Sequence, residues 1–415
     1  MRLRSAVALA LTAAVAVASC GSDDDSTDST PTDSTPPDST PTDSTPTDST
    51  PTESTESTTA ETTGSAGTTD TAAGSSAVVA GAAFPDDRCA ANEAAGTITY
   101  LTGFDYAATA SIVDILVAEE KGYYDAMCLD VEVTASFSTA NYPLVAENDA
   151  QFASGGSFSE VVEFSAANDA DLVVVAVEGP TAIDSLIVKP GIATELTDLE
   201  GTTIGVKGKL PPSIAAMLAQ AGLVEGEDFD TVLLDGFDPV QHIAIESIVG
   251  FPGYKSNEPG ALERAGIAFD LFDPIDYDIP GSFGVIYTNQ QFIDEHPTAA
   301  EDFVRATMLG LADAIDDPEG AAQISVDRIN AGGNPNFLSP EGEVFRWTTD
   351  AALISSLTPS GTGYGVPQAG ALQAELDAYA EIGLFDGTAP DAVAVLGDDI
   401  ITRIYDADGQ VIWPA

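Results

Sequence analysis

Short apolar runs alternate with helical stretches from about residue 95 onward. The first series predicts strands at 96–102, 129–134, 151–153 and 172–177, separated by helices at 109–121, 142–147 and 157–167. Strands that alternate with helices form βαβ units. The pattern therefore predicts a largely parallel sheet that is covered on both faces.

A second series begins near residue 200. It predicts strands at 202–206, 231–234, 248–251 and 268–272, with helices at 211–220 and 239–246 and a further helix opened by Asn257-Glu258-Pro259. A strand at 283–288 and a long helix at 297–314 then start a mostly helical last third. The chain length suits two such units. We expect an α/β fold with a discontinuous first lobe, residues 95–190 and 285–415, and a second lobe at 191–284.

The first twenty residues have the pattern of an export signal. Two arginines precede an apolar run at 6–18 that is too short to span a bilayer, and Val-Ala-Ser-Cys follows. This ending matches the bacterial lipobox, so residues 1–20 are predicted to be a lipoprotein signal peptide and Cys20 the acylated anchor. The alternative is ordinary secretion with an incidental cysteine.

Residues 21–80 repeat the motif Asp-Ser-Thr-Pro-Thr and contain almost no large apolar side chains. Such a segment cannot bury enough surface to offset the entropy of ordering it. We predict a disordered tether between the membrane and the folded part. The two other cysteines, Cys89 and Cys128, lie in that exported folded part, where a disulfide is expected. Two thiols too far apart to meet remain the alternative.

The formal charge of the chain is -54. Twelve of the 67 acidic residues lie in 21–80 and two of the 13 basic residues precede them, so the rest carries about -44. This surface repels nucleic acid and anionic lipid, which excludes a nucleic-acid partner, and it suits a saline habitat because salt screens self-repulsion. A highly anionic ligand would need a positive pocket, and the chain has few lysines from which to build one.

The sequence lacks the common catalytic motifs. There is no Gly-x-Ser-x-Gly elbow, phosphate-binding Gly-x-x-x-x-Gly-Lys-Ser/Thr loop, His-Glu-x-x-His or Cys-x-x-Cys, and the histidines are His242 and His296. We expect His242 to contact a ligand or to lie on a helix surface, and His296 to be structural. The pattern indicates a protein that binds without catalysis and without a metal or cofactor.

Three segments resemble solute-binding proteins of ABC importers. Residues 118–133 (AEEKGYYDAMCLDVEV) are similar to the helix-to-strand passage that opens many of these proteins, and residues 198–208 (DLEGTTIGVKG) to the entry into their second lobe. Residues 296–319 (HPTAAEDFVRATMLGLADAIDDPE) resemble the helix that follows the crossing back to the first lobe. Together they span about 97–319 in the expected order. The resemblance implies the two-lobed periplasmic-binding-protein fold of type II.

Residues 254–259 (YKSNEP) are similar to a segment of the branch that contains thiamine-pyrimidine and riboflavin binders, beside sulfonate and nitrate binders. In several vitamin-precursor binders, Tyr-x-x-Asn-Glu-Pro forms a loop that faces the cleft. The resemblance gives Glu258 this place, where a carboxylate can accept two hydrogen bonds from a ring with N–H donors. Asparagine and proline also suit the first turn of a helix, so a simple cap is the alternative.

In two-lobed binders the ligand lies against loops at strand ends and helix N-termini. The candidate ligand-binding residues are Phe104, Asp105, Tyr106, Gly155, Gly156, Ser157, Lys209, Ser213, Asp238, Tyr254, Asn257 and Glu258. Aromatic rings would stack on a flat ligand, glycines would let backbone approach it, and Lys209 would meet an oxygen or phosphate. The alternatives are rings packed beneath their own loop, helix caps and a solvated lysine.

The resemblance implies an extracytoplasmic, lipid-anchored monomer that captures a small solute and delivers it to an ABC permease with its ATPase. The expected solute is a heterocyclic vitamin precursor such as a thiamine pyrimidine or a flavin, with a sulfonate or nitrate as alternative. Yeast-type thiamine pyrimidine synthases share the fold, but their His-Cys-Cys-Cys-Phe-Cys run is absent from this sequence. A sensor or docking module is the remaining alternative.

Overall fold

A computed structural model describes residues 76–385 and 387–415. The predicted signal peptide, the predicted anchor Cys20 and the tether as far as residue 75 lie outside the described residues. The tether prediction extends too far at its C-terminal end. The Ser76 N–H donates to Asp87 Oδ2 at 2.7 Å, and the side chain of Val78 is buried, so these residues pack on the folded part.

Ten strands in the described part of the chain form two five-stranded sheets. The strands are β1 (Thr97–Leu101), β2 (Asp130–Thr134), β3 (Phe152–Gly155), β4 (Leu172–Gly179), β5 (Asp184–Val188), β6 (Thr203–Val206), β7 (Asp230–Leu233), β8 (Gly250–Tyr254), β9 (Asp270–Phe272) and β10 (Phe283–Asn289). The first sheet has the order β2-β1-β3-β10-β4 and the second the order β7-β6-β8-β5-β9. In each sheet four strands run in the same direction and one runs antiparallel to its two neighbours, β10 in the first sheet and β5 in the second.

The helices cover the faces of both sheets. They are α1 (Asp86–Glu93), α2 (Val113–Glu120), α3 (Tyr123–Ala126), α4 (Ser138–Ala146), α5 (Phe158–Asn168), α6 (Pro212–Gln220), α7 (Pro239–Ile243), α8 (Glu258–Arg264), α9 (Gln290–Glu295), α10 (Pro297–Asp316), α11 (Pro318–Gly332), α12 (Pro340–Leu357), α13 (Ala369–Glu381) and α14 (Asp398–Arg403). Short 3-10 helices lie at Leu196–Leu199, Pro274–Tyr277, Pro335–Phe337 and Ala392–Val395. None of the described helices combines the length and apolar character needed to cross a membrane.

The chain crosses between the sheets twice, once between β4 and β5 and once between β9 and β10. The expected boundary at residue 190 is therefore too late, because β5 already belongs to the second sheet. The sequence pattern missed this strand, although Asp-Ser-Leu-Ile-Val has its composition. The two crossing segments run side by side: a Cβ on Gly281 would lie 2.7 Å from the Cα of Ala182.

The first lobe packs α2 and α10 against its sheet, with Phe303 stacked on Phe152 at 4.1 Å between ring centroids. A disulfide joins Cys89 in α1 to Cys128 before β2, the pair predicted from the sequence. The apolar core of this lobe also takes in Trp347 of α12, whose indole N–H donates to Ala314 O.

The second lobe has a smaller core, around Leu186, Ile204 and Leu218. Helix α13 also contributes to it, since Tyr379 is buried there and donates its hydroxyl to Pro280 O at 2.9 Å. The expectation that 285–415 belongs wholly to the first lobe is therefore wrong for this helix. Packed against both α5 and α6, it spans the boundary between the lobes.

Candidate ligand-binding cleft

Loops at the C-terminal ends of strands from both sheets meet in a cleft between the lobes. Phe104 follows β1, Phe137 follows β2 and Phe237 follows β7. The ring of Phe104 lies edge-on to those of Phe137 and Phe237, with 5.6 Å between centroids in both pairs. Because Phe237 comes from the other lobe, this aromatic contact closes one side of the cleft.

Two polar contacts also join the lobes. Arg346 of α12 donates from Nη2 to Asn257 Oδ1 at 2.7 Å, while its Nη1 binds the Glu343 carboxylate. Lys209 Nζ lies 3.0 Å from Glu163 Oε2 of α5, in an exposed ion pair. Exposed pairs contribute little to stability. The predicted residues Asn257 and Lys209 thus lie between the lobes, but their polar atoms are held by protein groups.

Glu258 is 4% exposed and both its oxygens are occupied. Oε1 pairs with Lys207 Nζ at 2.6 Å, and Oε2 accepts the Tyr254 N–H at 2.8 Å. Lys207 Nζ also lies 5.5 Å from the ring centroid of Phe237. Glu258 therefore holds the loop after β8 in place, and Asn257 gives helix α8 no side-chain cap. The structure therefore contradicts the alternative of a side-chain cap by Asn257, and the ligand contact of the two residues stays a prediction.

Tyr254 presents a half-exposed ring at the end of β8. Its partner across the strand ladder is Asp184, the first residue of β5. Asp184 Oδ2 accepts a hydrogen bond from Ser213 Oγ at 3.1 Å. Burial raises the pKa of Asp184 to about 7, and the carboxylate of Glu160 contributes to the shift. The predicted residues Tyr254 and Ser213 therefore lie beside a carboxyl group that the sequence analysis did not select.

The two glycines at the end of β3 lie where a side chain would meet its neighbours. A Cβ on Gly156 would lie 2.2 Å from Glu160 Oε2, and one on Gly155 would lie 3.5 Å from the ring of Tyr287. Ser157 caps α5 by accepting the Glu160 N–H at 3.3 Å. The preceding N–H groups, of Phe158 and Ser159, donate to Ser282 Oγ and Glu375 Oε1. The helix N-terminus expected to receive a ligand is thus saturated by protein acceptors.

The described contacts of Asp105 and Tyr106 are all with residues of the first lobe. Asp105, at a φ of 48°, accepts the Asn334 N–H at 2.6 Å. The Tyr106 hydroxyl donates to Val133 O at 3.4 Å, and the guanidinium of Arg328 lies 5.4 Å from its ring centroid. Tyr106 lines a surface groove of about 630 Å³ beside the edge strand β2, built entirely from first-lobe residues. The contacts therefore favour structural roles for this pair.

Asp238 and His242 serve helix α7. Asp238 caps it by accepting the Val240 N–H at 2.9 Å. His242 is buried against Phe251, with Nε2 3.0 Å from Asp235 O, so the expected position on a helix surface is wrong. Across the described residues, no group of three or more histidine, cysteine or acidic side chains is arranged to hold a metal ion.

Beneath the cleft, the first lobe buries three carboxyl groups. Asp350 Oδ2 accepts from Thr109 Oγ1 at 2.5 Å and from the Ala110 N–H at 3.1 Å. Burial raises the pKa of Asp114 to about 7, and burial beside Asp114 raises that of Glu178 well above its usual value. Because two such carboxyl groups share one site, at least one of them holds a proton near neutral pH.

The sequence analysis missed Phe137, Glu160, Asp184, Arg346 and Asp350. Phe137 and Glu160 follow predicted strands closely enough for the strand-end rule to have included them. Asp184 follows the unrecognised crossing, and the other two lie on a C-terminal helix. No local pattern marks these three residues as part of a cleft.

Comparison with known proteins places the chain in a family. The family described as NMT1/THI5 like matches residues 109–321, half of the chain. The riboflavin-binding protein RibY of Chloroflexus aurantiacus is 30% identical over 136 residues, which cover 32% of this chain and 38% of that protein. The matched segment thus spans well under half the length of this relative.

Solved structures share the fold at low sequence identity. The periplasmic nitrate-binding protein NrtA of Synechocystis PCC 6803 has a TM-score of 0.55 at 15% identity, covering 74% of this chain and 87% of its own. The periplasmic aliphatic sulphonate binding protein SsuA of Escherichia coli has a TM-score of 0.55 at 13% identity, and the match covers 74% of this chain and 99% of that protein. The fold is therefore the two-lobed type II periplasmic-binding-protein fold, as predicted.

Proposed function

The chain belongs to the NMT1/THI5 like family, and from that premise we propose that it is the extracytoplasmic solute-binding component of an ABC importer. The predicted lipid at Cys20 would anchor it to the membrane. It would capture a flat nitrogen heterocycle between its lobes and deliver it, as a monomer, to a permease and its ATPase. Closure of the two lobes by rotation about the two crossing segments would enclose the solute.

One observation carries the choice of a heterocycle: rings and carboxylates meet in the cleft. Phe104 and Phe237 offer aromatic edges from opposite lobes, and Tyr254 offers a half-exposed ring. Asp184 and Glu160 are close enough to Tyr254 to act on its hydroxyl, and an ionised carboxylate can accept hydrogen bonds from the N–H donors of a ligand. A flat ring with N–H groups fits both features, as a vitamin precursor of the pyrimidine or flavin kind would.

Charge weighs against a sulfonate or nitrate as the solute. The lysines and the arginine closest to the cleft, Lys207, Lys209, Lys255 and Arg346, are each paired with a carboxylate. An anion would therefore enter a site whose positive charges are already neutralised. The similarity of RibY, a protein named for binding riboflavin, supports a ring-shaped solute as well.

The reading as a binder rather than a synthase rests on the groups that line the cleft. The five lysines have the described partners Asp313, the carbonyls of Ile245 and Ile248, Glu258, Glu163 and Asp273. None is thus a free amine placed for covalent chemistry in the described part of the chain. Both histidines lie outside the cleft, since His242 packs on Phe251 and His296 on Phe292.

The test measures ligand binding to the purified protein in high salt by thermal shift and by calorimetry. The probes are 4-amino-5-hydroxymethyl-2-methylpyrimidine, riboflavin, ethanesulfonate and nitrate. A heterocycle at one hundred times its Kd should stabilise the protein by about 2.7 kcal/mol. Phe237→Ala should weaken that binding about tenfold, the loss expected for one aromatic contact. Val224→Ala, which trims another exposed apolar side chain of the second lobe, should leave it unchanged.

Other outcomes would overturn the proposal. Stabilisation by ethanesulfonate or nitrate alone would replace the heterocycle with an anion. Chemical conversion of a bound pyrimidine would make the protein an enzyme. Absence of stabilisation by all four probes would remove the support for a vitamin-precursor binder.

A further inference from the structure

We propose that helix α13 is the pivot of lobe closure, with Glu375 and Tyr379 as the positioning residues that join it to the two walls of the cleft. This inference rests on the proposed function, because it takes closure of the lobes as the working motion. It adds the element that guides this motion beside the two crossing segments.

The two halves of α13 pack in different lobes. Leu372 and Leu376 are fully buried in a first-lobe cluster that includes Phe158 and Val161 of α5. Tyr379, about one turn further along, is buried in the core of the second lobe. Because buried side chains are closely packed, a rotation of one lobe against the other must move this helix relative to at least one of them.

Glu375 holds the first-lobe half of the helix. Its Oε1 accepts the Ser159 N–H in the first turn of α5 at 3.0 Å, and both residues are fully buried. The neighbouring Phe158 N–H donates to Ser282 Oγ, in the second crossing segment, at 2.8 Å. The start of α5, directly after the predicted cleft residue Ser157, is thereby tied to α13 and to the crossing segment.

Tyr379 joins the other half of the helix to the same crossing segment. Its hydroxyl donates to Pro280 O at 2.9 Å. Burial raises the pKa of Tyr379, and hydrogen bonding with the Ser213 hydroxyl at the start of α6 opposes the rise. Ser213 is one of the predicted cleft residues of the second lobe. The tyrosine hydroxyl therefore lies between the crossing segment and the second wall of the cleft.

Glu375 and Tyr379 are four residues apart, so they lie on the same face of α13. This face contacts the start of one helix in each lobe, α5 in the first and α6 in the second. Three fully buried side chains, Leu372, Glu375 and Leu376, fix the helix in the first lobe. We therefore expect α13 to stay with the first lobe, and the Tyr379 hydroxyl to lose its contacts when the second lobe rotates away.

Distances between nitroxide labels on the purified protein, measured by double electron–electron resonance without added solute, test the pivot. The labels are attached through p-acetylphenylalanine in place of Ala140 of α4 and Ala244 after α7, which are exposed positions in the first and second lobes. This chemistry leaves the native disulfide intact. Tyr379→Phe keeps the ring and removes the hydroxyl, so the ratio of open to closed populations should rise about fivefold, the effect of one hydrogen bond.

Tyr405→Phe is the matched control. It removes the hydrogen bond from the Tyr405 hydroxyl to Tyr364 O, a contact of the same kind at 2.6 Å within the first lobe. Whatever stability this variant loses in urea unfolding, its distance distribution should match that of the parent. The pair separates a role in lobe rotation from a general loss of packing.

Two variants of Glu375 test the other end of the pivot. Glu375→Ala removes the acceptor of the Ser159 N–H, so hydrogen exchange at that amide should quicken about tenfold and the distance distribution should broaden. The side-chain oxygen of glutamine can still accept this hydrogen bond. Glu375→Gln should therefore restore both the exchange rate and the distance distribution of the parent.

The outcomes separate this inference from the choice of solute. An unchanged distribution in Tyr379→Phe, or an equal change in Tyr405→Phe, overturns the pivot. A parent protein without a closed population also overturns it, because the Tyr379 contact would then not hold the lobes together. So does a Glu375→Gln variant that behaves like Glu375→Ala. No solute takes part, so if none of the four probes stabilises the protein, the solute proposal fails and the pivot stands.

Discussion

The first lobe buries a network of ions under its sheet, whereas the second lobe buries mainly aliphatic side chains and places its ion pairs at the cleft. Asp302 is fully buried and accepts from Arg88 Nε at 2.6 Å and from Arg305 Nε at 3.0 Å. In the second lobe, the pairs Lys207–Glu258 and Lys255–Asp273 hold the loop after β8. The buried charges around Asp302 therefore stabilise the fold of the first lobe, whereas these two pairs of the second lobe shape the site.

The edge strands of the two sheets also differ in how well other elements cover them. Edge strand β2 of the first lobe has α2 and α3 packed against it. Edge strand β7 of the second lobe is largely exposed, with Leu233 at 71%. A strongly packed first lobe and a thinner second lobe suit a protein in which the second lobe moves over a fixed platform.

The largest expected effect is in the buried network. Asp302→Ala would remove the buried one of the two carboxylates that Arg88 and Arg305 share and leave them with Glu301 alone, so we expect a loss of about 3 kcal/mol in the free energy of unfolding. Urea unfolding of the variant measures this. The control Asp316→Ala removes an exposed acid from the same helix, and should change stability by less than about 0.5 kcal/mol. A loss below about 1 kcal/mol for Asp302→Ala would show that the network does not distinguish the lobes.

The disulfide is the next largest contribution to the first lobe. Cys89 and Cys128 are 39 residues apart, and removal of a bridge of this kind typically costs about 2–4 kcal/mol. Cys89→Ser should lower stability by that amount in thermal or urea unfolding. Cys128→Ser and the double variant should match it, because all three remove the same bridge. If the loss of stability in the double variant equalled the sum of the two single losses, the two cysteines would contribute separately and not through a shared bridge.

The fold was largely predictable from the sequence, and the site only in part. Alternating apolar runs marked most strands because buried parallel strands carry continuous β-branched stretches, as in β4. The position of a side chain in the cleft depends on contacts between lobes, which local patterns do not contain. Glu258 shows the limit: its segment was found correctly, but Lys207 and the Tyr254 N–H occupy the carboxylate expected to meet a ligand.

The buried acids of the first lobe predict a dependence on pH. The native pKa of Asp114 is raised to about 7 by burial, above its usual value of 3.8, so the native state retains a proton that the unfolded state releases. Stability should therefore fall as the pH rises from about 4 through 7. Asp114→Asn keeps the shape without the titrating group, and should be more stable than the parent at pH 8 by about 2 kcal/mol.

Chemical unfolding at pH 5 and pH 8 tests this prediction. The gain from Asp114→Asn should be much smaller at pH 5, where the parent holds the proton. Asp125→Asn, an exposed change in the neighbouring helix α3, serves as the control and should leave the pH profile unchanged. Equal effects of Asp114→Asn at both pH values would show that the acid pair does not titrate with folding.

The smallest effect is expected at the contact between the lobes. Asn257→Ala removes the acceptor of the Arg346 hydrogen bond, but Glu343 still neutralises the guanidinium, so we expect a loss of about 1 kcal/mol. Hydrogen exchange should quicken in the loop after β8 and remain unchanged in α10, since the two lobes would separate more easily without either one unfolding. Asn168→Ala, an exposed change on α5, should alter neither measurement. Faster exchange in α10 of the Asn257→Ala variant would mean that the first lobe depends on the second for its stability, and the contrast between a fixed platform and a mobile lobe would then fail.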